Sequence, residues 1–200
     1  KAEGTKIVTC HLGNGSSISA VKDGKCLDTT MGVTPLEGIL MGTRCGSIDP
    51  SIIPILMRKE NLTADQLDAV MNKKSGMLGI AGTNDNRTIE NNAKKGDERA
   101  QLVESMLCHQ LVKYIGGFAA AMGGLDAVVF TGGIGENNPQ YRTRVAKNLE
   151  FLGTAINEET NSLRGAEVEI SVPGSKVKLF VIPTNEELMI AQDTQEIVAK

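Results

Sequence analysis

Residues 126–131, with the sequence DAVVFT, form an almost continuous run of apolar, strand-forming residues. Such a run is typical of a central strand in a parallel sheet, because helices cover that strand on both faces. The glycine-rich stretch Gly132–Asn137 (GGIGEN) follows directly. The segment therefore predicts an α/β fold with a glycine-rich turn at the carboxyl end of a central strand.

Helical and strand patterns alternate on either side of this segment. Helical spacing is found over residues 141–152 and over a second stretch that opens at residues 183–187 and runs to about Val198. Strands are predicted over residues 168–172 and 177–182. Upstream, residues 91–122 predict one long helix that Gly123 and Gly124 end. The expected buried stripe of that helix is Leu102, Met106, Cys108, Leu111, Val112 and Ile115.

The N-terminal part of the chain has the pattern of an antiparallel meander. Residues 6–10, 17–21 and 26–30 are predicted strands, separated by turn signals at residues 13–15 and at Asp23-Gly24. Together with the later strand–helix alternation, they predict a mixed sheet with helices on its faces and right-handed crossovers. We expect one domain over residues 1–200.

The middle of the chain is predicted to contain two helices and two connections. Residues 31–49 are expected to be a long ordered loop, after which Asp49 and Pro50 would start a helix. Thr63 and Gln66 have the spacing of a capping box that opens a second helix. Residues 73–87 are predicted to be a polar connection.

Composition excludes several classes of protein. The 200 residues are 40% apolar and 22% charged, which suits one domain of ordinary size rather than a disordered chain. The net charge of −3 argues against binding to nucleic acid through its phosphates. No stretch approaches 18 uninterrupted apolar residues, so no membrane-spanning helix is expected.

Cysteine and histidine patterns argue against a zinc site. The four cysteines have no CxxC spacing, and the chain has only two histidines. We expect reduced, buried cysteines of a cytoplasmic protein.

Three polar segments follow predicted strands: residues 11–15 (HLGNG), Gly132–Asn137 and residues 184–187 (TNEE). Ligands of α/β sheets bind beyond the carboxyl ends of the strands, so these segments are candidate site residues. The first could surround phosphate with backbone amides or could be an ordinary Asn-Gly hairpin turn. The second could bind a nucleotide or only allow close packing of helix on sheet.

Charged residues add a second set of candidates. One of Glu186 and Glu187 is expected to cap a helix, while the other could hold Mg²⁺, which prefers few carboxylates plus substrate phosphates. Arg44 lies in a glycine-rich loop and could clamp a phosphoryl group or simply be a surface arginine. Tyr141, Arg142 and Arg144 are expected on a solvated helix face.

Four motifs resemble the acetate kinase family: residues 11–17 (HLGNGSS), 41–46 (MGTRCG), 130–137 (FTGGIGEN) and 183–187 (PTNEE). Their order matches the C-terminal half of that family over essentially the whole chain. The resemblance implies a ribonuclease-H-like mixed sheet, the actin-like ATPase domain of the acetate and sugar kinase, heat-shock chaperone ATPase and actin superfamily. It also implies transfer of the ATP γ-phosphoryl group to acetate, giving acetyl phosphate and ADP.

The resemblance implies roles for individual residues. Arg44 would stabilise the transferring phosphoryl group, and Glu186 would hold Mg²⁺ or Mn²⁺. Asp85, Asn86 and Arg87 would lie near adenine and ribose. The remaining nucleotide contacts implied are His11, Leu12, Gly13, Asn14, Gly15, Gly133, Ile134, Gly135, Glu136 and Asn137.

Two departures from the family pattern qualify these expectations. Ser47 stands where many family members have an acidic residue, and the family's N-terminal half has no counterpart in this sequence. We therefore expect one wall of a two-walled cleft, which binds ATP or ADP weakly and does not turn over acetate alone. The resemblance also implies a cytoplasmic homodimer with no nucleic-acid or membrane partner.

Other functions remain open from the sequence. A propionate or butyrate kinase would share this half, and a non-catalytic interaction module would keep the fold but not Mg²⁺-dependent ADP binding. A nucleic-acid-binding ribonuclease-H-like domain would need acidic metal ligands on the first strand, and residues 7–10 contain none.

Overall fold

A mixed sheet lies at the centre of the computed structural model, which describes residues 2–199. Its strands run in chain order as β1 (Lys6–Leu12), β2 (Ser16–Lys22), β3 (Lys25–Thr29), β4 (Ala127–Thr131), β5 (Val168–Glu169) and β6 (Lys178–Val181). In space the six strands lie in the order β3-β2-β1-β4-β6-β5.

The N-terminal half of the sheet is the predicted antiparallel meander. β1 pairs with β2, placing Cys10 opposite Ile18, and β2 pairs with β3. Side chains alternate across β1, so that Val8, Cys10 and Leu12 are buried while their neighbours are not. This face packs on the long helix that precedes β4 in the chain.

Beyond β1 the sheet continues by parallel pairing through β4 and β6, and β5 ends it as an edge strand antiparallel to β6. β4 lies between β1 and β6 and is parallel to both, with Phe130 opposite Cys10 on one side and Val181 on the other. The three carboxyl ends therefore meet at one edge of the sheet. This arrangement confirms the predicted ribonuclease-H-like α/β fold.

Helices surround the sheet. They are α1 (Ile52–Lys59), α2 (Ala64–Lys73), α3 (Gly76–Ala81), α4 (Asn86–Lys94), α5 (Glu98–Met122), α6 (Gly132–Asn137), α7 (Pro139–Asn148), α8 (Glu158–Asn161) and α9 (Glu186–Val198), with a 3₁₀ turn at Glu150–Leu152. The capping box at Thr63 is confirmed, since Thr63 Oγ1 accepts from Gln66 N–H and Gln66 Oε1 accepts from Thr63 N–H. Within residues 2–199, no helix combines the length and apolarity needed to cross a membrane.

The prediction of one helix over residues 91–122 is wrong. The chain forms α4 and α5, which are separated at Gly96, where φ is +91°. Asp97 then caps α5 by accepting the Ala100 N–H at 2.9 Å. Leu102, expected to be buried, is 50% exposed, because the buried stripe instead includes Val103 and Leu107.

Other boundaries also differ from the sequence expectations. The connection predicted over residues 73–87 contains α3 and the start of α4, and Gly132–Asn137 forms the short helix α6 rather than an open turn. α1 begins at Ile52, so Pro50 does not occupy its first position. Cys26 is exposed, contrary to expectation.

The prediction of a solvated face for Tyr141 and Arg142 is wrong. Tyr141 is 3% exposed and Arg142 is 1% exposed, because α7 packs on α5 and α8. Burial raises the pKa of the Tyr141 phenol and lowers the pKa of the Arg142 guanidinium to about 10. Arg142 therefore remains a cation at neutral pH inside the protein.

Arg142 compensates for its burial with a set of short hydrogen bonds. Its Nη1 donates to the carbonyl oxygens of Gly135 at 2.7 Å and Glu136 at 2.9 Å. Its Nε and Nη2 donate to the side-chain and main-chain oxygens of Asn161 at 2.7 and 2.6 Å. The side chain thus ties the end of α6 to α8.

We predict that Arg142→Ala lowers the free energy of unfolding by about 3 kcal/mol or more, because buried carbonyl groups lose their donor. The measurement is urea denaturation of the 200-residue chain. Arg144→Ala on the same helix is the matched control, since that side chain is 41% exposed and its ion pair with Glu104 should contribute at most about 1 kcal/mol. Equal losses in the two variants would contradict the structural role of Arg142.

Candidate functional site

Two clefts adjoin at the carboxyl edge of the parallel strands and share Gly133. Their volumes are about 520 and 540 Å³, which is the range of small-molecule sites. Of the predicted site residues, the first cleft is lined by Gly13, Asn14, Asp85, Asn86, Arg87, Gly133, Ile134 and Asn137. The second is lined by His11, Gly133 and Glu186.

The turn after β1 is held in place by Asn14. Its main-chain oxygen accepts the Gly42 N–H at 2.9 Å, and its Oδ1 accepts from Asn84 Nδ2 at 3.1 Å. Within the turn, Gly13 N–H donates to the Gly15 oxygen at 3.0 Å. Asn14 therefore joins three separate segments of the first cleft.

The start of α4 carries the charged wall of the first cleft. Asp85 caps the helix, accepting from Thr88 Oγ1 at 2.7 Å and from Arg87 N–H at 3.3 Å. These bonds, led by that from Thr88, hold the pKa of the Asp85 carboxyl below its usual value. The Arg87 side chain is 90% exposed, and its Nε forms an ion pair with Asp85 at 3.5 Å, so most of its guanidinium is open to solvent and to a ligand.

Asn86 has a buried oxygen that lacks a donor. Its Oδ1 is shielded from solvent, and no hydrogen bond to it is made within residues 2–199. Buried polar atoms normally have partners, and one beside a cleft suits a ligand that brings a donor.

The two glycines that open α6 differ in their surroundings. Gly132 has φ of +76°, and a Cβ there would lie 2.8 Å from the Leu12 oxygen. Glycine is therefore required for the close approach of α6 to β1. At Gly133 a Cβ would meet nothing within 4 Å, so its missing side chain leaves space in both clefts.

Five predicted residues do not line either cleft. Leu12 is 1% exposed and lies in the core, and Gly135 packs between the ends of β4 and β1. Gly15 lies against the Arg44 guanidinium, with Nη1 about 3.1 Å from an ideal Cβ position. Arg44 Nη1 donates to the Pro35 oxygen at 2.9 Å, and the Glu136 carboxylate accepts hydrogen bonds from main-chain groups.

The acidic segment before α9 is exposed at the second cleft. Asn185 caps α9 by accepting the Leu188 N–H at 3.2 Å, which leaves Glu186 and Glu187 in the first turn facing the cleft. Within residues 2–199 no three His, Cys, Asp or Glu residues cluster as they would in a metal site built from protein side chains alone. A cation here would need oxygens from its ligand as well, the arrangement that Mg²⁺ favours.

Sequence reasoning missed Met77, Glu90 and Arg164, which also line the first cleft. Met77 lies on α3, which was not predicted. Glu90 follows Asn86 by one helical turn, so a correctly placed start of α4 would have indicated it. Nothing in the sequence around Arg164 indicated its position.

The sequence profile of the acetokinase family matches residues 1–192. The acetate kinase of Carboxydothermus hydrogenoformans is 59% identical over 193 residues, which are 96% of this chain and 48% of that protein. The chain thus spans about half the length of the curated relatives it matches.

Solved structures agree with the sequence match. The acetate kinase of Porphyromonas gingivalis superposes with a TM-score of 0.93 at 48% identity, covering 98% of this chain and 50% of that one. A propionate kinase from Francisella tularensis superposes with a TM-score of 0.87 at 44% identity, covering 94% and 48% of the two chains. With a profile match over nearly its whole length, the chain belongs to the acetokinase family.

Proposed function

We propose that this chain is the nucleotide-binding half of an acetate kinase, a phosphotransferase that moves the ATP γ-phosphoryl group to acetate. The observation that carries the proposal is the pair of clefts that share Gly133, because the segments that resemble the family meet there. Residues 1–200 form the C-terminal, nucleotide-binding domain of a two-domain kinase in this proposal.

The first cleft is the proposed site for the base and ribose of ATP or ADP. Arg87 can donate to oxygens of the nucleotide, and the unpartnered Asn86 oxygen can accept from an amino group of the base. The phosphates then extend past Gly133 into the second cleft. His11 can donate hydrogen bonds there, while Gly13 and Asn14 of the turn beside it line the first cleft.

Arg44 and Glu186 are the proposed residues for charge neutralisation. Arg44 is the cation beside the turn after β1, where its guanidinium can stabilise charge on the transferring phosphoryl group. Glu186 is an exposed carboxylate at the second cleft and would hold Mg²⁺ or Mn²⁺ together with phosphate oxygens. When bound, the cation neutralises phosphate charge, and phosphoryl transfer depends mainly on such positioning and neutralisation.

The acyl substrate is the finer part of the proposal. Acetate is favoured by the 59% identity to an acetate kinase, whereas the similarity to a propionate kinase makes propionate the second candidate. In either reading the acyl acceptor binds to the other half of the enzyme. Dimerisation remains a prediction from the resemblance.

We predict that the chain binds Mg²⁺–ADP and that Arg87→Ala weakens this binding about tenfold, the loss expected for a hydrogen bond to a charged group. Isothermal titration calorimetry measures both affinities. Arg99→Ala, at an exposed position on α5, is the control and should leave the affinity unchanged. No Mg²⁺-dependent binding by the unsubstituted chain would instead favour a non-catalytic interaction module.

Gly133→Val should weaken ADP binding about tenfold or more, because its side chain would fill space in both clefts that the ligand needs. The free energy of unfolding should change by no more than about 0.5 kcal/mol, since nothing in the protein lies within 4 Å of the new Cβ. Gly117→Val, at another exposed helical glycine with open surroundings, is the matched control. Unchanged ADP affinity in Gly133→Val would remove Gly133 from the site.

We predict that the chain alone forms no acetyl phosphate from ATP and acetate, and that adding the N-terminal half of a relative in trans restores formation. The physical reason is that the acceptor and the remaining charged groups lie on the other wall of the cleft, so the reactants are not held together. Trapping acetyl phosphate as its hydroxamate measures the rate. A substantial rate from the 200-residue chain alone would contradict the division of roles between the halves.

A further inference from the structure

The Glu136 side chain joins two segments of the site. Its Oε1 accepts the Gly132 N–H at 2.9 Å, the Thr184 N–H at 3.0 Å and the Thr184 hydroxyl at 3.2 Å. Glu136 is half-buried and lines neither cleft. One carboxylate oxygen thus holds the start of α6 and the segment before α9.

Few other hydrogen bonds connect the start of α6 with the segment before α9. The two segments follow the neighbouring parallel strands β4 and β6, whose pairing ends with the bond from Ile182 N–H to the Phe130 oxygen at 3.0 Å. Beyond that point the bonds to Glu136 are the only hydrogen bonds between Gly132–Asn137 and residues 183–187 in the described part of the chain. Because one side-chain oxygen accepts hydrogen bonds from both segments, this contact fixes the spacing of the segments.

The spacing matters because each segment carries a different ligand-facing group. Gly133 follows Gly132 and lies at the junction of the clefts, while Glu186 lies two residues after Thr184. We propose that Glu136 is a positioning residue that sets the distance between the phosphate-facing segment and the cation-facing carboxylate. This inference rests on the proposed function, in which phosphate oxygens and Glu186 share one cation.

The contact can be tested first without any ligand. In Glu136→Ala, the amides of Gly132 and Thr184 lose their acceptor and should exchange with deuterium about tenfold faster. Glu136→Gln keeps an acceptor oxygen and should remain within about threefold of the unsubstituted chain. The control is Glu150→Ala, at an exposed position. Its neighbours Phe151 and Leu152 lie near the beginnings of β1 and β4, at the edge of the sheet opposite the clefts, so the Gly132 and Thr184 amides should exchange as in the unsubstituted chain.

The positioning role is tested by the gain in ADP affinity on adding Mg²⁺, measured by calorimetry. Glu136→Ala should reduce that gain about fivefold or more, while metal-free ADP affinity changes less than about twofold. Glu136→Gln should preserve the gain. Adding Glu136→Ala to Glu186→Gln should not reduce the gain in ADP affinity any further, because Glu136 acts on that gain only by positioning Glu186.

The outcomes separate this inference from the proposed function. Unchanged exchange in Glu136→Ala, or an equal fall in ADP affinity with and without Mg²⁺, would overturn the positioning role alone. A Gln variant as defective as the Ala variant would also overturn it, because the charge rather than the hydrogen bonds would then matter. If the unsubstituted chain binds no ADP, the proposed function fails together with the role toward the cation, even where the exchange data confirm the contact.

Discussion

Parallel pairing of β1, β4 and β6 is the constraint on which the site depends. Because three carboxyl ends must meet at one edge, the turns that follow them are brought together without being neighbours in sequence. His11 and Thr131 are register partners, so the first two turns begin side by side. The antiparallel strands β2 and β3 widen the sheet, and the loop after β3 returns to the same edge, where Gly42 lines the first cleft.

Some side chains at this edge of the sheet hold the backbone in place, and others are left open at the clefts. Asn14, Glu136 and Arg142 use their polar atoms on main-chain, amide or hydroxyl partners, and each joins segments distant in sequence. Gly133 and Arg87 make few contacts with the protein and are left open at the clefts. Glu136 and Arg142 therefore shape the clefts without lining them.

Patterns that depend on local physics could be predicted from the sequence. The apolar run of β4, the meander and the Thr63 capping box were of this kind, and so was the meeting of three segments at one edge. The positions of residues that depend on tertiary contacts could not be predicted from the sequence. Arg142 looked solvated because its burial depends on tertiary packing and on Asn161, which lies 19 positions further along the chain. Arg164 reaches the first cleft from a loop without periodicity.

Arg142 also gives a remote region influence over the glycine segment. Asn161, 1% exposed in α8, orients the guanidinium that holds the carbonyl groups at the end of α6. A disturbance of α8 would thus be transmitted through a single side chain to α6, which contributes lining residues to both clefts. Substitutions that disturb the clefts need not lie among the lining residues, and a map of mutational sensitivity would include a second, interior group of positions at this helix.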